Sequence, residues 1–361
     1  MKPPSPLPLN ADLSPAQLRL LRGVSRSFYL SIRLLPRALR APIAVGYLLA
    51  RATDTVADTS TVPQAQRQTL LSLLLQAIET PGAVPSPLQA QLQEFARHQT
   101  DPHERALMQA LPACLPLLQS LPADDQASVR WVLRPITQGQ TLDICRFGQA
   151  PSDPATVQAL ANEDELTDYT WQVAGCVGEF WTELCARHLR DFATRPTHEM
   201  RQLGRHYGMG LQRLNILRDA GADLAQGRCY LPAEQLARLG LTPASLARAA
   251  QTHDASTLEQ LTPLWSEYMQ NTQTQMTAGL HYSRALTSRR LRLASVLPAL
   301  IGARTLALLA QAGPHALART GQRIKMPRHE VRALLWRLLL RGVSADALTR
   351  EFERLSSPVQ R

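Results

Sequence analysis

The chain is short of lysine, of aromatic residues and of any ordered cysteine pattern, and each shortage removes a class of function. Its 361 residues carry a formal charge of +10, yet lysine occurs only at Lys2 and Lys325 and every other basic residue is arginine. Those arginines are scattered among acids, and aromatics make up 5% of the chain. Nucleic-acid binding wants a clustered basic stripe with stacking rings, so no nucleic-acid partner is expected. Polyanionic small substrates or an anionic membrane surface suit the charge equally well. Cys114, Cys145, Cys176, Cys185 and Cys229 form no CxxC pair and no His/Cys cluster, which points to a reduced cytoplasm. No run of 18 or more apolar residues occurs, and MKPPSPLPLNADLSP at the N-terminus lacks the apolar core of a signal peptide. The expectation is a cytoplasmic protein, either soluble or peripheral at the inner membrane face. No repeat of fixed period appears, and no low-complexity block beyond the N-terminal arm.

What the chain does have is length for one large domain or two, and an apolar fraction of 45%. Long periodic apolar segments with few clusters of valine, isoleucine and aromatics predict an all-α protein. The boundaries read as an extended arm over 1–14, one domain over 15–345 and a C-terminal tail over 346–361. Ser14 and Pro15 open the first helix as cap and first residue.

Chemistry concentrates between Leu203 and Pro232. Asn215, Asp219 and Asp223 recur every four residues, so a helix projects all three from one face. Gln212, Gly208 and Gly204 continue that face upstream, and the glycines leave it bare, as room for a ligand requires. Gly227 stops the helix, and Arg228 and Tyr230 follow in the turn. Read alone, this window is equally an exposed polar face. A second stretch, from Pro42 to Thr59, places Tyr47, Arg51, Asp54 and Asp58 at spacings of four, three and four on an otherwise apolar helix. A solvated surface would scatter such charges.

Residues 162–190 begin with an acidic turn, as the helix dipole prefers, and run into an apolar stretch. There Tyr169, Val173 and Cys176 share a face, and Ala174, Gly175 and Gly178 either pack against a neighbour or make space for a chain-like ligand. The most hydrophobic segment contains Pro298 and Gly302 and reads as a kinked, buried helix rather than a membrane span. Beyond it Lys325 stands in QRIKMPRHEV, and ALLWRLLLRG (333–342) either packs as a terminal helix or touches a membrane surface.

Two Asp-x-x-x-Asp helices with arginines beside them suggest opposed walls that hold Mg²⁺, whose octahedral shell takes a few carboxylates, waters and phosphate oxygens. Next to an apolar, partly aromatic pocket, the implied chemistry is ionisation of an allylic diphosphate. Hydrolysis by a carboxylate pair is the rival, but it uses two carboxylates where this chain offers four.

These residues resemble the squalene and phytoene synthases, head-to-head prenyltransferases of the all-α isoprenoid synthase fold, whose helices surround a central cavity. The resemblance rests on SRSFYL (25–30), YLLARATDTVAD (47–58), YTWQVAGCVG (169–178) and LQRLNILRDAGADLAQGRCYLP (211–232). VAGCVGEFW and IKMPR look most like squalene synthases. The resemblance implies that Asp54 and Asp58, and Asn215, Asp219 and Asp223, bind Mg²⁺. Diphosphate would fall to Arg26, Arg51, Arg218 and Arg228 with Tyr47 and Gln212, and the pocket to Phe28, Val173, Gly178 and Gly208. Tyr169 would assist proton removal near the cyclopropane-forming step, while Lys325 and Arg328, with Asn215, would serve NADPH. Two farnesyl diphosphates would give presqualene diphosphate and then squalene. Ending at presqualene diphosphate, dehydrosqualene or phytoene is the alternative, and a non-catalytic relative the remote one. The family commonly has an acidic residue where Ala222 stands, and squalene synthases often have another cation where Pro327 stands.

Overall fold

The computed structural model describes residues 14–25, 28–82, 84–148, 157–319 and 323–357. Among them seventeen α-helices carry most of the chain, and the β-structure is one two-stranded sheet and an isolated bridge. The all-α expectation holds. Two compact units divide the chain.

The first unit comprises Met1–Ile144 and Phe180–Phe192. Helix α1 (Pro15–Ser25) starts where the sequence places it: the Ser14 amide donates to Gln17 Oε1 (2.7 Å) and the Gln17 amide to Ser14 Oγ (3.3 Å), a reciprocal cap. α2 (Phe28–Leu34) stops before Pro36, and α3 (Arg37–Asp58) begins directly after it. The sequence reading started α3 at Pro42, which instead lies inside the helix. Arg40 accounts for the earlier start: its guanidinium donates to the carbonyls of Leu35 (2.9 Å) and Arg33 (3.0 Å), so the end of α2 is satisfied by the first turn of α3. Then follow α4 (Gln64–Glu79), α5 (Ser86–Arg97), α6 (Pro102–Gln119) and α7 (Ala123–Phe147). Leu48, Leu49 and Val56 of α3, Leu88 and Leu92 of α5, and Leu107 and Leu111 of α6 are fully buried. That burial leaves the opposite, polar side of α3 to carry its charges outward.

The second unit comprises Cys145–Glu179 and Ala193–Arg361. α8 (Glu163–Thr170) is capped by Asn162, whose Oδ1 accepts from the Glu165 amide at 3.0 Å. A π-helical turn, Trp171–Gly175, leads straight into α9 (Cys176–His188). α10 (Thr197–Ala225) is followed by α11 (Ala233–Arg238), α12 (Pro243–Thr252) and α13 (Ala255–Gln260), then by the long α14 (Thr262–Ala285) and α15 (Arg289–Ala312). α10 packs along α14, and α14 along α15. The turn after α10 uses Gly227 at a φ of 76°, the left-handed region that favours glycine. Strand β1 (Gln158–Ala159) pairs in parallel with β2 (Arg228–Cys229), Gln158 opposite Arg228, and so fixes that turn.

Among the described residues one helical stretch, Arg289–Ala318, is long and apolar enough to cross a membrane, but 72% of its apolar window is buried inside the protein. It is a core helix, and Pro298 sits within it without ending it. α16 (Arg328–Arg341) and α17 (Ala345–Ser356) close the chain. The residues set apart as a tail thus begin as a packed helix, since Leu348, Phe352 and Leu355 are buried with Leu334 and Leu338.

Candidate functional site

The first acidic face lies on α3. Arg51 reaches both Asp54, one turn on, and Glu104 of α6. The Tyr47 hydroxyl donates to the Val24 carbonyl at 3.3 Å. Surrounding protein and the charge of Asp58 push the Asp54 carboxyl up to about 7, against the pull of Arg51. Its side chain is nevertheless 40% accessible, so water reaches the carboxylate and screens part of that repulsion. Burial disfavours the Arg51 charge, but Asp54, Glu104, Tyr47 and Asp58 outweigh it and hold the pKa above its ordinary value. Asp58 is the last residue of α3, and no basic residue occupies that turn. Carboxylates at a helix C-terminus oppose the helix dipole, so this end of α3 favours a cation.

The second face lies on α10. Gln212, Asn215, Arg218, Asp219 and Asp223 stay partly open while Leu214, Ile216, Leu217 and Leu224 are buried, as the four-residue spacing predicts. The Asn215 amide donates to Gln212 Oε1 at 3.4 Å. Arg218 grips Asp219 through Nε (3.1 Å) and Nη2 (2.6 Å), and Arg323 adds its Nε at 3.2 Å. Asp223, Arg228 and Tyr230 line one small pocket with Ile216, Ala220 and Leu231, and Arg228 Nη2 bonds Gln226 Oε1 at 2.6 Å.

Tyr169, at the end of α8, is buried and stacks on Tyr230 with centroids 5.1 Å apart. Phe147 meets Tyr230 edge-on at 5.2 Å, so three rings form one aromatic wall, and Val173 packs against the same core. Gly178 and Gly208 require correction as pocket residues. A Cβ at Gly178 would overlap the Gly204 carbonyl, and one at Gly208 the Ala174 carbonyl. The bare glycine face of α10 is therefore filled by the backbone of the π turn and α9. It serves close helix packing, not ligand space.

Lys325 and Arg328 are exposed on the segment before and at the start of α16. Met326 between them is buried, and its amide donates to Thr305 Oγ1 at 3.2 Å, which pins the segment to α15. From this basic segment it is Arg323 that reaches the acidic face of α10. Arg26 and the side chain of Phe28 lie outside the described residues.

Sequence reading missed Glu104, Arg323 and a brace beneath α10. Arg213, almost fully buried, binds Glu163 of α8 and lies over the Tyr268 ring of α14 at 5.7 Å, while the Tyr268 hydroxyl donates to Glu163 at 3.4 Å. No spacing rule joins such partners, since they lie 50 to 105 residues apart.

The donor chemistry of both faces fits Mg²⁺. Among the described residues no three His, Cys, Asp or Glu gather as a closed metal site. A carboxylate pair on a helix suits an ion that keeps waters and takes phosphate oxygens for the rest of its shell. Asp54 held up by its neighbours is a group that a cation would relieve.

A model of the squalene/phytoene synthase family matches residues 21–330. Among relatives, the phytoene synthase of Mycobacterium tuberculosis is 28% identical over 222 residues, covering 62% of this chain and 58% of that protein. The bifunctional lycopene cyclase/phytoene synthase of Podospora anserina is 28% identical over 235 residues, 64% of this chain and 37% of that one. The squalene synthase of Yarrowia lipolytica is 28% identical over 221 residues, 60% and 44% respectively. The matches thus span between 37% and 58% of these relatives' lengths. In fold, the chain matches TcSQS in complex with the ligand BPH1237 at a TM-score of 0.69, with 19% identity and coverage of 94% and 89%. A dehydrosqualene synthase in complex with a ligand matches at 0.55, with 21% identity and coverage of 89% and 95%. All-α architecture, two acidic helix faces with their arginines, and a family model covering most of the sequence agree: the chain belongs to the squalene/phytoene synthase family, whose members are prenyltransferases that join isoprenoid units.

Proposed function

We propose that the chain is a Mg²⁺-dependent squalene synthase. Two farnesyl diphosphates condense to presqualene diphosphate with loss of one diphosphate. Presqualene diphosphate then loses the second and, with hydride from NADPH, gives squalene. The observation that carries the reading is the pair of acidic helix faces, Asp54 and Asp58 on α3 and Asn215, Asp219 and Asp223 on α10, each with an arginine bonded to its first aspartate. These carboxylates would hold Mg²⁺, which would neutralise the diphosphate and make it a good leaving group.

The protein's own groups do the rest. Arg218 and Arg323, which pair with Asp219, and Arg51, which pairs with Asp54, are the donors that would bind diphosphate oxygens. Arg228, in the small pocket beside Asp223, adds a further donor. The wall of Phe147, Tyr169 and Tyr230 is buried and apolar, and such ring faces and edges stabilise an allylic cation and exclude water. The Tyr169 hydroxyl assists proton removal in the cyclopropane-forming step. Lys325 and Arg328, exposed on a pinned segment, supply the charge that the phosphates of NADPH need.

A second reading, phytoene synthesis from the C20 diphosphate without hydride, is favoured by the relatives named phytoene synthase. One experiment separates the two. Purified protein is given Mg²⁺ with farnesyl or geranylgeranyl diphosphate, with and without NADPH, and the extracted hydrocarbon is identified by mass. Squalene formed only from farnesyl diphosphate with NADPH is the expected result. A product indifferent to NADPH overturns the squalene synthase reading.

A further inference from the structure

α16 is amphipathic in an unusual sense, because it is apolar on both sides. Its inner side buries Leu334 and Leu338 against α15 and α17. Its outer side presents Trp336, 65% exposed, Leu339, 69%, and Leu340, 80%, the three most exposed large hydrophobic side chains among the described residues. Spaced three and four apart, they form one stripe on the helix surface, and Ala333 and Arg332 extend it towards the N-terminus. A stripe of this kind costs solubility and signals a surface that is covered in use.

Cations frame the stripe. Arg332 and Arg328 are exposed at its N-terminal side. At the other end, Arg292 of α15 donates to the Val343 carbonyl at 2.9 Å, which brings the start of α15 beside the end of α16. That start carries exposed Arg289 and Arg290, with no acidic residue in its first turn. The one acid of α16, Glu330, is engaged inward with Arg304. On α17, Glu351 is buried and paired with Arg337 of α16, and Asp346 lies in the first turn. The surface therefore combines tryptophan, leucines and a rim of arginines. Tryptophan prefers the headgroup depth of a bilayer, leucine lies below it, and arginines bind anionic headgroups.

We propose that the outer face of α16 is a docking surface for an anionic phospholipid bilayer, with Trp336, Leu339 and Leu340 entering the interface and Arg289, Arg290 and Arg332 contacting headgroups. A second copy of the chain fits less well. A twofold pairing of this face sets each patch against its own copy, so the cationic rims meet with few acids to receive them. The inference concerns a surface distinct from the acidic faces and stands without any assignment of the reaction.

Flotation of the full chain with vesicles tests it, using phosphatidylcholine alone or mixed with phosphatidylglycerol. The chain floats with the mixed vesicles and far less with phosphatidylcholine alone. The triple variant Trp336→Ser, Leu339→Ser, Leu340→Ser binds the mixed vesicles roughly 10-fold more weakly or worse, with its thermal unfolding unchanged because all three side chains are exposed. Arg289→Gln with Arg290→Gln lowers binding to mixed vesicles by about 10-fold and leaves the weak binding to neutral ones alone. This second pair keeps the test decisive should the triple variant misfold. Failure of the wild-type chain to float with anionic vesicles, or equal binding by either variant, overturns the proposal. So does a wild-type dimer in sedimentation velocity that the triple variant turns into a monomer, which assigns the face to a second copy.

Discussion

The acidic faces of α3 and α10 share a sequence pattern but differ in charge balance. On α3, the Arg51 guanidinium is shared by Asp54 and Glu104, and Asp58 closes the helix where the dipole is already negative. On α10, Arg218 and Arg323 both hold Asp219, and Arg228 stands in the pocket with Asp223. Among the described residues, two carboxylates of that face thus divide one cation. The α10 face is compensated. One face is thus suited to taking a bare cation, and the other to taking a cation together with the anion it carries. The same four-residue motif acquires two electrostatic characters from partners supplied elsewhere in the chain.

The largest effects should come from neutralising either face. Asp54→Asn and Asp219→Asn are each expected to reduce turnover by roughly 10³-fold, with the far-ultraviolet circular dichroism of the wild type retained. Retained activity in either variant breaks the comparison on that side. Next is the brace under α10: Glu163→Leu leaves the buried Arg213 guanidinium without its carboxylate, and denaturant unfolding should show a loss of about 3 kcal/mol.

A sharper contrast is one of sign. Without metal, Asp219→Asn should lower the melting temperature, because two arginines lose their acceptor, at a cost of about 1 kcal/mol. Asp54→Asn should raise it, because the variant removes a charge that Asp58 and Glu104 repel. A shift of the same sign in both variants would mean that the two faces do not differ in charge balance.

The smallest effect is in pH. Asp54 has a folded pKa of about 7, above its ordinary 3.8, so the folded state holds this proton more tightly. Its contribution is complete below about pH 4 and is lost as pH rises through about 7. Metal-free protein should therefore lose stability between about pH 4 and pH 7, by a slope that Asp54→Asn removes and Mg²⁺ reverses. Glu330 and Glu351 act oppositely and in a lower window. Arg304 pulls the first below its usual value, and Arg354 and Arg337 together outweigh burial for the second, so their support fades only as the solution becomes acidic.

Both faces were legible in the sequence because a period of four on a helix is a local property: Tyr47 to Asp58, and Gln212 to Asp223, needed only their own helices. Their partners were not. Glu104 comes to Arg51 from another helix, Arg323 comes to Asp219 from a loop, and Arg213 finds Glu163 and Tyr268 across separate elements. Glycine was the residue most open to misreading. Gly178, Gly204 and Gly208 leave a bare surface in either case, and only the third dimension shows that helix backbone, not ligand, fills it. ALLWRLLLRG offered terminal packing or membrane contact as alternatives, and the structure shows the packing on one side of α16 while the other side is exposed. Helix starts failed where a side chain intervened, as Arg40 does ahead of Pro42.

The central claim is that both acidic faces serve the departure of diphosphate through Mg²⁺. Release of inorganic diphosphate from farnesyl diphosphate, followed as Mg²⁺ is titrated into wild type, Asp54→Asn and Asp219→Asn, tests it most directly. Release that depends strictly on Mg²⁺ in the wild type and vanishes in both variants is the predicted result. Release without Mg²⁺, or undiminished release in either variant, would contradict it.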